Sequence, residues 1–85
     1  MISDHEFKRL RWQCRRGMLE LDLFLQKFLE QAFIHLSTAD QELFVKLLAC
    51  NDQDLFVWLT GKESPTDHEL ARMAKMVRKH GQTIF

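Results

Sequence analysis

The residues that most often carry out chemistry are scattered through this sequence and do not form a reactive group. Histidines lie at positions 5, 35, 68 and 80, and none is spaced with a cysteine or serine as a nucleophile with its base. Cys14 and Cys50 form neither a Cys-x-x-Cys nor a Cys/His pattern. Three separate glycines cannot form a phosphate-binding loop. We therefore predict no catalytic residue and no metal site.

Three acids could form a carboxylate site, but their positions favour a structural role. Asp52 is interpreted as a helix cap, and Asp54 as a first-turn acid that the helix dipole favours. Glu63 falls in a predicted loop. The two cysteines are expected to be reduced and packed among apolar residues, because free cysteine behaves as a small hydrophobe. Reduced cysteines indicate a reducing compartment, so we predict a cytoplasmic protein.

The segment Arg15-Arg16-Gly17-Met18-Leu19-Glu20 is the most informative one for function. Its glycine indicates a helix junction, with Glu20 in the first turn of the following helix. In one interpretation, Glu20 only complements that helix dipole and Arg16 is solvated. In the other, the glycine lets another backbone approach, and Arg16 and Glu20 offer a fork of donors and a carboxylate to a partner. The residue types alone leave both interpretations open.

Charge is unevenly distributed along a chain whose formal net charge is zero. Residues 8–16 hold five basic and no acidic side chains, residues 20–69 hold ten acidic and three basic ones, and residues 72–79 hold four basic ones. The first basic run contains Trp12 and could contact phosphates and bases. A nucleic-acid footprint usually needs net positive charge, however, so we predict a protein partner and no nucleic acid.

The elements that must position these residues are helices. With 85 residues, 46% of them hydrophobic, the chain can bury one core without a metal or a disulfide. Apolar residues recur at helical spacing, and no alternating run indicates a strand. We predict an all-α, compact five-helix bundle that forms one domain over residues 1–85, with helices at about 4–15, 18–34, 38–50, 52–60 and 66–80.

Capping and turn residues set these boundaries. Helix starts are predicted where side chains can accept from free backbone N–H groups, at Ser3, Ser37 or Thr38, Asn51 or Asp52, and Thr66. Helix ends are predicted at Gly17, Gly61 and Gly81.

No segment approaches the roughly 20 consecutive apolar residues of a membrane span. We therefore expect no membrane insertion, and we expect a monomer.

Two blocks of this sequence resemble the succinate dehydrogenase assembly factor E family, the FAD assembly factors of bacteria and mitochondria. The family hallmark Arg-Gly-x-x-Glu corresponds to Arg16-Gly17-Met18-Leu19-Glu20, with Trp12, Cys14 and Arg15 before it and Leu21-Asp22 after it. A second family block, Leu-Leu-x-Cys-x-Asp-x-Asp-Leu-Phe-x-Trp-Leu, corresponds to residues 47–59. Two blocks in the family's order and separation make the resemblance specific.

This resemblance implies a helper protein and not an enzyme. It implies binding to the flavoprotein subunit of succinate dehydrogenase, and of fumarate reductase, and promotion of covalent FAD attachment to a histidine of that subunit. The FAD belongs to the client, so no cofactor is expected to be stably bound by this chain. Carried onto this sequence, the client-contact residues are Arg16, Gly17 and Glu20, with Arg15, Trp12 and Asp22 as weaker candidates.

Two questions stay open from the sequence. Asp52, Asp54 and Trp58 match the second block, and they could belong either to the core or to a contact surface. The alternative function is an antitoxin-like module that neutralises a small partner protein, a role also proposed for bacterial members of the family. Such a module could use the same kind of surface.

Overall fold

The computed structural model describes residues 3–84, with side chains described from residue 3 to residue 81. Five α-helices follow one another in this range: α1 (Asp4–Gln13), α2 (Leu19–Gln31), α3 (Thr38–Leu48), α4 (Asp52–Leu59) and α5 (His68–Ile84). Residues 3–84 contain no strand, so the predicted all-α, five-helix fold is confirmed. Residues 1, 2 and 85 of the predicted domain lie outside the described range.

Three helix starts have the side-chain caps that the sequence predicts. Ser3, Ser37 and Asn51 each accept a hydrogen bond from the backbone N–H three residues later, at 3.2, 3.2 and 2.8 Å. Each bond satisfies one of the N–H groups that have no partner within the helix. These caps therefore set the starts of α1, α3 and α4.

The start of α5 differs from the predicted one. The helix begins at His68 and not after a cap at Thr66, because the Asp67 carboxylate accepts from the backbone N–H groups of Glu69 and Leu70, at 2.9 and 3.0 Å. Aspartate is at least as good a helix cap as threonine. The Leu70 hydrogen bond is the largest of the effects that lower the pKa of Asp67. The predicted Thr66 cap is wrong.

Two helix ends also differ from the predicted ones. α2 ends at Gln31, and a 3-10 turn at Phe33–His35 follows where the sequence predicts continued α-helix. Gly81 does not end α5, which continues to Ile84. Gly81 is buried, and a Cβ atom there would overlap the ring of Phe24 on α2. This glycine therefore allows two helices to approach closely.

One apolar core joins the helices. α5 packs against α2, α3 and α4, while α1 packs against α2. The ring of Phe44 lies 5.3 Å from that of Phe28 and 5.5 Å from that of Phe33, within the range of favourable aromatic pairs. Leu55 and Leu59 are buried in the same core cluster. None of the helices in the described chain is long and apolar enough to cross a membrane.

Candidate functional site at the corner between α1 and α2

The Arg-Gly-x-x-Glu segment begins in the connection between α1 and α2, called here the corner (residues 14–18). Cys14 closes α1 and is fully buried. Gly17 has a φ of +81°, in the left-handed region that glycine adopts without strain. A Cβ atom at Gly17 would meet no other atom within 4 Å. The backbone therefore requires this glycine, while the space outside it is open.

The Arg16 side chain points into the molecule, whereas the two interpretations of the sequence have it solvated or facing a partner. Its Nη2 donates to the backbone carbonyl of Leu48. Its Nη1 lies 3.4 Å from the carbonyl of Cys50 and 3.2 Å from Oδ1 of Asp52. The last carbonyls of a helix have no partner within it and form the negative end of its dipole, so a guanidinium binds well there. In the unbound chain the Arg16 guanidinium therefore donates to its own chain and is not free to bind a partner.

Asp22 also turns towards its own chain. Its Oδ1 accepts a hydrogen bond from the backbone N–H of Arg16, at 2.6 Å, and its side chain is half-buried. A charge-assisted bond of this kind is stronger than one between neutral groups. Asp22 therefore ties the corner to α2, and this contact occupies one of the oxygens that a client could have used.

The side chains on the outer side of the corner are exposed to solvent. Trp12 and Leu19 are 71% and 75% exposed, which is high for large apolar side chains. The Arg15 guanidinium carbon lies 5.7 Å from the centre of the Trp12 ring, a cation–π distance. Gly17 and Glu20, in the same stretch of the sequence, are exposed as well. We call the residues Trp12, Arg15, Gly17, Leu19 and Glu20 the outer patch.

Leu19 is the outer-patch residue that sequence reasoning missed. Leu21, Leu25 and Phe28 follow helical spacing and are buried, whereas Leu19 lies about 200° around the helix from Leu21 and projects away from the core. A leucine off the buried stripe of an amphipathic helix is the signal that could have identified it. The Glu20 carboxylate makes no hydrogen bond or ion pair with any described residue, and the residue is exposed to solvent.

The second sequence block contributes to the same corner from the other side. Asp52, at the start of α4, forms the ion pair with Arg16. Asp54 instead accepts from the side-chain amide of Asn51, at 3.0 Å, and is exposed. Trp58 is half-buried and packs against the core. Of the three residues left open by the sequence, only Asp52 therefore contacts the Arg-Gly-x-x-Glu segment.

Both cysteines are free, and neither lies in a metal site. Within the described part of the chain, no group of three or more histidine, cysteine, aspartate or glutamate residues is placed to hold a metal ion. Burial raises the pKa of the Cys14 thiol to about 12, and also raises that of Cys50. Raised values suit packed thiols and not activated nucleophiles. The fold and the corner thus define a small helical protein with an exposed, partly apolar patch at a helix junction.

Comparison with known proteins identifies the family. Residues 8–81 match the family model described as the flavinator of succinate dehydrogenase. The chain is 51% identical over 70 residues to the FAD assembly factor SdhE of Shewanella oneidensis, covering 82% of this chain and 85% of that protein. It is 44% identical over 77 residues to the FAD assembly factor SdhE of Pseudomonas savastanoi, covering 91% and 92%. The chain belongs to the succinate dehydrogenase flavinator family.

A third relative is similar to this chain to about the same extent. The FAD assembly factor SdhE of Photorhabdus laumondii is 45% identical over 74 residues, covering 87% of this chain and 84% of that protein. These relatives are named as assembly factors and not as enzymes. The resemblance found in the two sequence blocks is therefore confirmed, and so is the prediction that the chain is not an enzyme.

Proposed function

We propose that this protein binds the flavoprotein subunit of succinate dehydrogenase, and that of fumarate reductase, and promotes covalent attachment of FAD to that subunit. Membership of the flavinator family and the names of the relatives support the proposal. The observation that carries it is the outer patch, where a glycine, a carboxylate and two large apolar side chains are exposed within residues 12–20, in and just before the family motif. The FAD stays with the client, and this chain holds no cofactor of its own.

Each part of the outer patch has a physical role in such a complex. Gly17 lets a client backbone approach, because no side chain stands in the open space above it. The Glu20 carboxylate can accept from client N–H groups that would otherwise be buried without a partner. Trp12 and Leu19 supply apolar area, which contributes about 25 cal/mol for each Å² removed from water. Large aromatic anchors of this kind dominate many interfaces.

Binding alone is enough to promote the attachment. The client contains both the FAD and the histidine that becomes linked to it, so the bond-forming chemistry belongs to the client. A flavoprotein exchanges between domain arrangements, and a partner that prefers the arrangement competent for attachment increases its population. The gain is limited by the difference in affinity between the two arrangements. The outer patch supplies that difference in affinity. In this proposal the protein acts as a monomer in the cytoplasm.

The test is covalent flavin on the client in cells that lack their own factor. The flavoprotein subunit is co-expressed with each variant, and flavin fluorescence is read after a denaturing gel. We expect Glu20→Ala to lower covalent flavin by at least about tenfold, the effect of losing an interface hot spot. Glu42→Ala is the matched control, because Glu42 is an exposed helix acid on α3, outside the outer patch.

Unchanged covalent flavin in cells with no factor at all would contradict the proposed function. Unchanged covalent flavin with Glu20→Ala alone would contradict the assignment of the patch. A purified complex between this protein and a small toxin-like partner, with client flavin unaffected, would favour the antitoxin-like alternative.

A further inference from the structure

Two stretches that are distant in the sequence meet at Arg16. Its backbone N–H donates to Asp22, six residues away on α2. Its guanidinium reaches Leu48, Cys50 and Asp52, which lie 32, 34 and 36 residues away. The two sequence blocks are therefore in physical contact, and Arg16 is the residue that joins them.

This contact fixes residue 16 from both sides, immediately before the glycine of the corner. α2 holds its backbone through Asp22, while the junction between α3 and α4 holds its side chain. Gly17 follows at a φ of +81°, and a glycine by itself permits many backbone directions. The direction in which residues 17–20 leave the corner therefore depends on how firmly residue 16 is held.

We propose that Arg16 is a positioning residue, and that Asp52 is its anchor on α4. Arg16 holds the outer patch in the geometry that the client recognises, and it does so without touching the client itself. The proposal rests on the function proposed above, because it takes the outer patch as the client surface. It gives Asp52 a role in client binding, although this residue belongs to the second block and lies outside the Arg-Gly-x-x-Glu motif.

The geometry of the guanidinium favours positioning over direct contact. Both Nη atoms of Arg16 donate within the chain, its Nε is buried, and only 17% of its side chain is exposed. A client that recruited this group would have to break the ion pair with Asp52 and leave the last carbonyls of α3 without their donor. Glu20 and Leu19 are exposed and need no such rearrangement.

The first test compares Asp52→Asn with Asp54→Asn. Both acids lie in the first turn of α4, so both changes remove one negative charge from the same helix end. Only Asp52 contacts Arg16, whereas Asp54 contacts Asn51. We expect Asp52→Asn to weaken binding of the purified flavoprotein subunit about fivefold, the effect of losing one partly exposed ion pair. Asp54→Asn should leave the affinity unchanged.

The second readout reports position directly and needs no client. Amide ¹H–¹⁵N chemical shifts are recorded for both variants with the chain otherwise intact. Asp52→Asn should shift the signals of Gly17, Leu19 and Glu20, while Asp54→Asn should not. Unchanged signals, or equal shifts in both variants, would overturn the proposal. A lower melting temperature with unchanged signals and affinity would show a merely structural role and would also overturn it.

A double-mutant cycle separates positioning from direct contact. If Arg16 acts through Asp52, Arg16→Gln and Asp52→Asn remove the same interaction, and the double variant binds the client about as weakly as Arg16→Gln alone. If Arg16 touches the client, the losses of affinity multiply, which would overturn the proposal. Failure of the proposed function would instead appear as normal client flavin in the absence of the factor, with the amide-shift result still deciding the role of Arg16.

Discussion

The corner and the contact between α2 and α5 each contain a glycine, and the two glycines are required for different reasons. Gly17 lies in open space, and its φ of +81° is the constraint. Gly81 lies inside a regular helix, and the ring of Phe24 leaves no room for a Cβ atom. A glycine constrained only by its backbone leaves its outer side available to a partner. A glycine constrained by its neighbours serves packing alone.

The largest expected effect tests the packed glycine. Gly81→Leu should lower the free energy of unfolding by about 2–3 kcal/mol, because added volume in a filled core forces its neighbours to move. Urea unfolding measures the change. The double variant Gly81→Leu with Phe24→Ala should recover part of the loss, because it removes the ring that the new side chain meets.

The same variant also tests whether Gly81 contributes to client binding. At a temperature where Gly81→Leu is folded, its affinity for the client should equal that of the original chain, because Gly81 lies outside the outer patch. A stable Gly81→Leu variant would contradict the close approach of α2 and α5. A folded variant that lost client binding would remove the distinction between the two glycines.

The sequence was sufficient for the features that depend on local interactions. Caps at Ser3, Ser37 and Asn51 need only a side chain and a backbone N–H three residues later, so the helices that they begin were correctly predicted. Gly17 was singled out because a glycine between two apolar helices indicates a turn. The all-α fold followed from helical spacing of apolar residues over most of the chain.

Features that depend on distant parts of the chain were not available from the sequence. The direction of Arg16 depends on where the end of α3 lies in space, 32 residues further along. Gly81 has the sequence features of a helix end, and only the position of Phe24 on α2 shows its packing role. Leu19 was missed for a different reason, since its place off the buried stripe could have been read from spacing alone.

A second, smaller effect tests how the corner is tied to the interior. Cys14 is fully buried, and desolvation raises the pKa of its thiol to about 12 from the usual 9.0. The folded state therefore keeps the thiol neutral while the unfolded chain ionises it above about pH 9. This contribution to stability is complete below that pH and is lost as the pH rises towards about 12. The loss between pH 8 and pH 10 should be about 1–2 kcal/mol.

The control for this prediction compares two proteins that differ only in Cys14. Urea unfolding at the two pH values is compared for Cys50→Ser and for Cys50→Ser with Cys14→Ala, under reducing conditions. The chain has no tyrosine, and apart from Cys14 the two proteins contain the same ionisable residues. The variant without Cys14 should be less stable at pH 8, because a cavity replaces the thiol, and it should lose less stability on going to pH 10. Equal losses would contradict a buried thiol in the corner.

The smallest expected change in stability comes from replacing Gly17. It separates the need for a positive φ from the need for a missing side chain. Gly17→Ala should lower the free energy of unfolding by about 1 kcal/mol, because alanine is strained at positive φ. Gly17→Asn should cost less, since asparagine tolerates the left-handed conformation better than other residues. Neither side chain meets a steric obstacle in the unbound protein, because the space around a Cβ atom is open.

Client affinity should rank these two variants in the opposite order. If the client backbone lies against Gly17, the larger asparagine blocks it more than alanine does, although asparagine is the more stable replacement. If the client only needs the conformation of the corner, asparagine preserves binding better than alanine. Measuring the unfolding free energy and the client affinity of the same two proteins therefore distinguishes a glycine kept for its backbone from one that is also kept for its missing side chain.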